Sequence, residues 1–481
     1  MTTIESCRAL GAALRKPADG AWLAAFRVLF GITLLTSTLR FLAYGWIDQL
    51  FVAPRFHFKY LGFSWVPVPQ AGELHALFWL LAVLCVLVSL GLLFRAAAFG
   101  LVVGFTYVQL LDVTTYLNHY YLASLLALLL ACSPAGRIWS LDARLRPSLA
   151  CNTLPAAWLY LFRFQIAVVY TYAGLAKAHG DWLFHAEPLR IWLLSRADTP
   201  LIGAILAHDW AAPVMSWAGF LFDTTIAWWL MLPRVRPWAY LVVIGFHTMT
   251  GLLFPIGMFP VIMVLSALVF FSPSWPRKLA ARLPANLRVR FATANAPLPV
   301  PLPHFGRRYR LGFALGAVYC LFQVAFPLRF LAYGGSVRWH EQGMRFSWRV
   351  MVREKNGSTT FVVRARRTGR TYYVAPHQYL TRLQEREMSS QPDLILQLAH
   401  RIRDDYEAKG LGPIEVRADT WVSLNGRAIR RLINPDLDLS RIEDGWRRAD
   451  WILPEPSEPP PRLHAIRPWL AGVPVPVGGA T

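Results

Sequence analysis

Nine apolar stretches of about membrane-spanning length crowd the first 331 residues, near 22–44, 74–94, 96–112, 116–133, 156–178, 205–232, 237–254, 257–272 and 309–331. A helix needs roughly 20 apolar residues to cross the hydrocarbon core, because every backbone amide must be satisfied inside it. This spacing therefore predicts a polytopic α-helical membrane protein with about nine transmembrane helices. Composition agrees: 55% of the residues are hydrophobic and 14% aromatic, well above a soluble domain. The first residues lack the apolar core and cleavage site of a secretory leader, so Trp22–Tyr44 is expected to be both first span and targeting signal. Between the first two stretches, Phe51–Gln70 is rich in aromatics and proline and reads as interfacial or re-entrant backbone.

The net charge of +21 raises nucleic acid as a partner. The basic residues instead sit in short loops without a nucleic-acid motif, as the positive-inside rule distributes them, so the expected partner is the bilayer and not nucleic acid. Arg8, Arg15 and Lys16 precede the first span, Arg95, Arg137, Arg144, Arg146, Arg234 and Arg236 fall in later loops, and the connection 272–310 carries Arg277, Lys278, Arg282, Arg288 and Arg290 with no acid. With nine spans all of these lie on the cytoplasmic side. The N-terminus is then cytoplasmic and everything after residue 331 exoplasmic: periplasmic in a bacterial inner membrane, lumenal in an endoplasmic reticulum membrane. An excess of 43 arginines over six lysines hints at a GC-rich bacterial genome.

The expected domains are a cytoplasmic N-terminus (1–21), a helical transmembrane domain (22–331), an exoplasmic α+β, β-rich domain (332–453) and a proline-rich tail (454–481). Met344–Val374 alternates like a β-meander, with turns expected at Asn356-Gly357 and near Thr368-Gly369. Residues 377–409 read as helical and end at Gly410, and Ile414–Leu432 reads as a hairpin turning at Asn425-Gly426. The five cysteines include no CxxC pair, which speaks against metal or redox-disulfide chemistry.

Four polar sites sit in apolar surroundings. Lys177 ends the run FQIAVVYTYAGLAK, with Tyr170 and Gly174 on its helical face. An amine at membrane depth is costly, and burial favours its neutral, basic form. It is either a functional base or the i,i+4 partner of Asp181, snorkelling to the interface. In LDVTTYLNHYY, Asp112, Thr115 and His119 share a face if the helix is continuous, with Asn118 adjacent. His247 precedes a broken helix marked by Pro255, Gly257 and Pro260. Asp223 in FLFDTT reads as a hydrogen-bond partner between helices. No GxSxG, Walker A or HExxH motif is present.

The segments FQIAVVYTYAGLAKAHGDW, GFHTMTGLLFPIGMF, FFSPSWPRKL and DTWVSLNGR, in this order, resemble the vitamin K-dependent γ-glutamyl carboxylases. The membrane part also resembles the broader HTTM-domain family. The likeness covers about 22–435. It implies a carbon–carbon lyase that oxidises reduced vitamin K (phylloquinol or menaquinol) with O₂. This gives a strongly basic quinone-derived alkoxide and finally the epoxide. That base removes a γ-proton from a glutamyl residue, which captures CO₂ to become γ-carboxyglutamate. No metal, biotin or ATP is implied. On this likeness Lys177 is the base that deprotonates the quinol, while Ala176 replaces the family's first lysine. Asn118, His119 and Tyr170 fall to the quinone, and His247 joins Lys177 and His119 as catalytic. Tyr373, Pro376 and Trp421 fall to the glutamyl peptide or protein on the exoplasmic side. Two other functions stay open: a quinol epoxidase acting on a non-protein substrate, and a non-catalytic lipid-handling or secretion-assisting factor.

Overall fold

The structure is a computed structural model and describes residue 9, residues 11–282 and residues 307–461. Cys7, Arg8, Arg288 and Arg290 of the sequence patterns, and the tail beyond residue 461, lie outside the described residues. The chain divides into two compact units, residues 1–171 with 225–328 and residues 172–224 with 329–481.

In the first unit, helices α1 (Ala21–Ala43), α2 (Ala71–Leu90), α3 (Phe94–Leu111) and α4 (Asn118–Cys132) pack in succession, as short loops between antiparallel helices require. Helix α5 (Ala156–Lys177) joins α1 through Phe162, whose ring meets Trp22 and Phe26 edge-on at 5.4 and 4.9 Å. The end of α5 (residues 172–177) and helix α6 (Ala211–Met231) up to residue 224 belong to the second unit, and the first continues with α7 (Arg236–Leu253), α8 (Phe259–Ala267) and α9 (Arg307–Ala325). By length and composition, five helices among the described residues can cross a membrane: Ala21–Ala43, Ala71–Leu90, Phe94–Leu111, Ala156–Lys177 and Arg310–Ala332. Trp79, Leu80, Val83 and Val86 of α2 are exposed, an arrangement suited to lipid and costly in water.

Arg27 sits inside α1 with no exposure, yet both terminal nitrogens of its guanidinium find acceptors. It donates to the carbonyls of Ala135 (2.5 Å), Ile138 (2.9 Å) and Trp139 (2.6 Å), where a buried cation stands in for missing helix partners. The Phe51–Gln70 segment is largely irregular, as expected, and its polar groups find partners: Lys59 Nζ donates to Leu111 O at 2.9 Å and Val113 N to Phe58 O at 2.9 Å.

The apolar stretch expected near 96–112 ends where expected, so the continuous helix needed for a shared polar face is absent. Helix α3 stops at Leu111, because Asp112 turns extended and accepts from Thr114 N (2.9 Å) and Thr114 Oγ1 (2.7 Å). An aspartate bonding its own following backbone offers an alternative to the helix, so Asp112, Thr115 and His119 share no continuous face.

In the second unit, a four-stranded antiparallel sheet runs in the order β2-β1-β3-β4, with β1 Lys355–Ala365, β2 Thr371–Val374, β3 Ile414–Leu424 and β4 Arg430–Arg431. Its inner face, including Phe361, Val363, Val416 and Val422, is fully buried beside the amphipathic helix α11 (Pro392–Ala408). Helix α10 (Arg382–Met388) precedes α11, and Gly410 ends the helical stretch in the left-handed region at φ 77°. The turn expected at Asn356-Gly357 does not form: both residues pair within β1, opposite Ser423 and Val422. A dipeptide suited to a turn is overridden here by a continuous ladder. The other two turns form near Gly369 and at Asn425-Gly426, the latter with left-handed φ of 52° and 77° and closed by Arg427 N donating to Leu424 O at 3.1 Å.

Candidate active site

In the first unit, α5, α7 and α4 bring three expected site residues into one buried group. Tyr170 Oη and His247 Nε2 are hydrogen-bonded at 3.0 Å. The Phe259 ring, at the start of α8, lies 5.7 Å from the His247 ring and 6.0 Å from the His119 ring. Tyr170, His119 and His247 are all buried. Helix α7 breaks after Leu253 and α8 begins at Phe259, with Gly257 left-handed at φ 58°, as the Pro255–Pro260 pattern predicted. Asn118 is half-buried at the first turn of α4, and its Oδ1 accepts from Tyr116 Oη at 3.0 Å. Aromatic walls, two imidazoles and a phenol suit a flat ring with oxygen at its edge.

In the second unit, Lys177 is the last residue of α5 and is 6% exposed. Its amine donates to Asp223 Oδ2 at 2.6 Å and to Ala173 O at 3.2 Å, and lies 5.3 Å from the Trp182 ring centroid. The Asp181 pairing is thus corrected: the carboxylate opposite Lys177 is Asp223 on α6. Helix α5 ends before Gly180, so Asp181 belongs to the next short turn, Gly180–Leu183, and an i,i+4 geometry never exists. The two helices approach closely because residue 174 is glycine. A Cβ there would stand 2.5 Å from Thr224 Cγ2 and 2.8 Å from its backbone nitrogen, one residue beyond Asp223.

Asp181 has a different task. Arg427 grips it through both nitrogens (2.8 and 2.7 Å), Asn425 Nδ2 donates at 2.8 Å, and Arg338 Nη1 stands at 3.1 Å. Burial alone pushes this carboxyl up, but the Arg427 hydrogen bond, the Arg338 charge and Asn425 outweigh it and hold it at about 2. The hairpin turn Asn425-Gly426-Arg427 is thereby tied to the segment just after the lysine. Sequence reasoning noted the turn but not its partner.

Glu187 is 1% exposed, and Arg190 Nε stands 3.5 Å from its carboxylate. Burial dominates over that charge and raises its carboxyl from 4.5 to about 8. The folded state therefore holds a proton that the unfolded chain releases, so stability falls as pH rises from about 4.5 to about 8. Glu187→Gln is expected to flatten that part of the curve and to raise the melting temperature above pH 8 relative to the parent, by thermal unfolding across pH.

A cavity of about 680 Å³ opens in the second unit beside the end of α5, where Ala176 and His179 form one wall. Arg338, Arg349 and Arg448 line it against a single acid, Glu455. The Arg349 guanidinium lies 4.0 Å from the Phe330 ring centroid, and its buried Nε has no hydrogen-bond partner among the described residues. Sequence reasoning missed these arginines, since isolated arginines in a basic chain give no signal. Tyr373 and Trp421 lie elsewhere in this unit, on the open face of the sheet: Tyr373 pairs with Val362 and is 75% exposed, while Trp421 pairs with Ser358 and carries the Arg431 guanidinium 4.8 Å from its ring. Pro376 is buried at the turn after β2, so its side chain is not on that face.

Residues 15–275 match the HTTM domain, and residues 308–458 match the lumenal domain of vitamin K-dependent gamma-carboxylase. The chain belongs to the gamma-carboxylase family. The two matches abut the two kinds of structure seen here, apolar helices first and a sheet-containing domain last, and indicate a vitamin K-dependent, carboxylase-like function for this family member. No solved structure matches the chain.

Proposed function

We propose that this protein is an integral-membrane carboxylase that couples oxidation of reduced vitamin K by O₂ to addition of CO₂ at the γ-carbon of glutamyl residues. The observation that carries this reading is the buried amine of Lys177, at the end of the helix that also bears Tyr170. The naphthoquinol supplies, on oxidation to its epoxide, a base stronger than any side chain. Lys177 starts that chemistry by accepting a hydroxyl proton. His247, hydrogen-bonded to Tyr170, and His119 orient the quinol oxygens, and Asn118 offers an amide at the edge of the same group. Apolar surroundings keep water from returning a proton to the glutamyl carbanion before CO₂ adds.

The arginine-lined cavity is suited to the carboxylates of a glutamyl peptide, while Tyr373 and Trp421 offer an aromatic face to the flanking chain. Nine spans, a cytoplasmic N-terminus and an exoplasmic C-terminal domain place that domain where secreted substrates pass. The test is mass spectrometry of quinone products from purified protein, with and without a glutamyl peptide. Epoxide formation stimulated several-fold by the peptide, with a mass gain of CO₂ on glutamate, is expected. Epoxide indifferent to the peptide moves the reading to a quinol epoxidase with a non-protein substrate. No quinone binding at all moves it to a non-catalytic membrane factor.

A further inference from the structure

We infer that Asp223 is a positioning residue for proton transfer, taking the ammonium proton of Lys177 so that the amine is free to act as a base. The inference rests on the reading of Lys177 as that base.

The geometry isolates the pair. Lys177 and Asp223 side chains are 7% and 9% exposed and their polar atoms stand 2.6 Å apart. Asp181, the acid four residues after Lys177 in the chain, has both oxygens occupied by Arg427 and one shared with Asn425. Two further direct contacts of the amine are a carbonyl, Ala173 O, and the Trp182 ring, and neither can accept a proton. The Gly174–Thr224 approach holds the two helix backbones together one residue from Asp223 and three from Lys177, which restrains the amine and the carboxylate from drifting apart. Trp182 adds a second lock, since its Nε1 donates to Ser216 O on α6 at 2.8 Å.

A purely structural role explains this poorly. A buried ion pair gains little over well-packed apolar side chains, because desolvating two charges offsets their attraction. The same pair has an evident use in proton transfer. One N–H bond of the ammonium breaks and one O–H bond forms on Asp223, giving a neutral amine beside a neutral acid. Net charge is zero before and after, so the step adds no charge to a low-dielectric site. The amine lone pair then takes the hydroxyl proton of the quinol: an O–H bond breaks, an N–H bond forms, and the electron pair stays on the quinol oxygen. The anion so formed faces a newly made ammonium.

Asp223→Asn tests this in the full-length protein with chemically reduced vitamin K. Asparagine keeps the shape and can accept a hydrogen bond, but cannot take the proton. Turnover in epoxide formation is expected to fall at least about a hundredfold, the usual scale of a proton-transfer group, with the KM values for quinol and peptide nearly unchanged. Asp223→Glu is expected to recover part of the loss. Turnover of Asp223→Asn within threefold of the parent, alongside an inactive Lys177→Ala, overturns the inference and leaves the base assignment intact. An active Lys177→Ala overturns the base assignment itself, and this inference with it. Should Asp223→Asn not insert, infrared spectra of carbonyl-labelled aspartate decide the matter. A protonated-carboxyl band that the Asp223→Glu variant loses from the aspartate label supports proton residence on Asp223. A band unaltered by that substitution, or none at all, overturns it.

Discussion

Lys177→Ala is expected to abolish epoxide formation and incorporation of labelled CO₂ together, while the protein still inserts into the membrane. Both activities fail because carbon chemistry depends on the base that quinol oxidation generates, and quinol oxidation begins with proton removal. Loss of a general base costs about 10²–10⁴-fold, which puts turnover below ordinary detection. The variant leaves Asp223 buried at 9% side-chain exposure without its cation. That carboxyl can take up a proton and become neutral, so the helices are expected to stay packed against the Gly174–Thr224 contact. Lys177→Gln, which retains a donor for Asp223, is the control for folding. It is expected to restore any stability lost and none of the activity. Undiminished epoxide formation by either variant would remove Lys177 from the mechanism.

The helical half of this fold was legible because hydropathy is a one-dimensional signal. Apolar stretches expected at 22–44, 156–178 and 237–254 form helices at Ala21–Ala43, Ala156–Lys177 and Arg236–Leu253, the first two long and apolar enough to cross a membrane. Breaks were legible both from residue types and from the ends of apolar stretches. Pro255 and Gly257 announced the interruption before α8, and the apolar stretch ending near 112 marked the end of α3, where a bond from the Asp112 side chain supplies the local cause. The candidate site was legible in part. Lys177 and Asp223 both stood out as polar groups in apolar runs, but their pairing did not. Asp223 is 46 residues away, and choosing it over Asp181, four residues on, depends on where one helix ends and how closely another approaches. The three arginines of the cavity were invisible for a related reason. A chain of net charge +21 has too many arginines for any one to signal a pocket. In the sheet, strand pairing overrode a strong local turn signal at Asn356-Gly357, since both neighbours of β1 extend past it or stop short of it without bending the strand.

Asp181→Ala is expected to destabilise the protein by about 3–5 kcal/mol, the usual cost of stripping one partner from a buried ionic group. Arg427 and Asp181 side chains are each 7% exposed and meet at 2.7 Å, and removal of the carboxylate leaves Arg427 and Arg338 facing each other with Asn425 unsatisfied. Arg427→Ala is expected to cost a comparable amount, and the double variant much less than the sum, because most of each loss is the stranded partner. The exposed pair Arg431–Asp419, at 3.1 Å and 44% and 41% exposure, is the internal comparison: its removal is expected to cost about 0–1 kcal/mol. Acid titration adds an independent signature. The Asp181 carboxyl is held at about 2 against an ordinary 3.8, so its contribution is present above 3.8 and is lost as pH falls through that interval. Thermal unfolding between pH 5 and pH 2 should therefore fall more steeply in the parent than in Asp181→Ala. Parallel curves, or additive losses in the double-variant cycle, would mean that the hairpin turn is held by backbone contacts alone. The position of Lys177, four residues before Asp181 in the chain, would then have to be fixed by α6 through Asp223 and Trp182 without help from the hairpin.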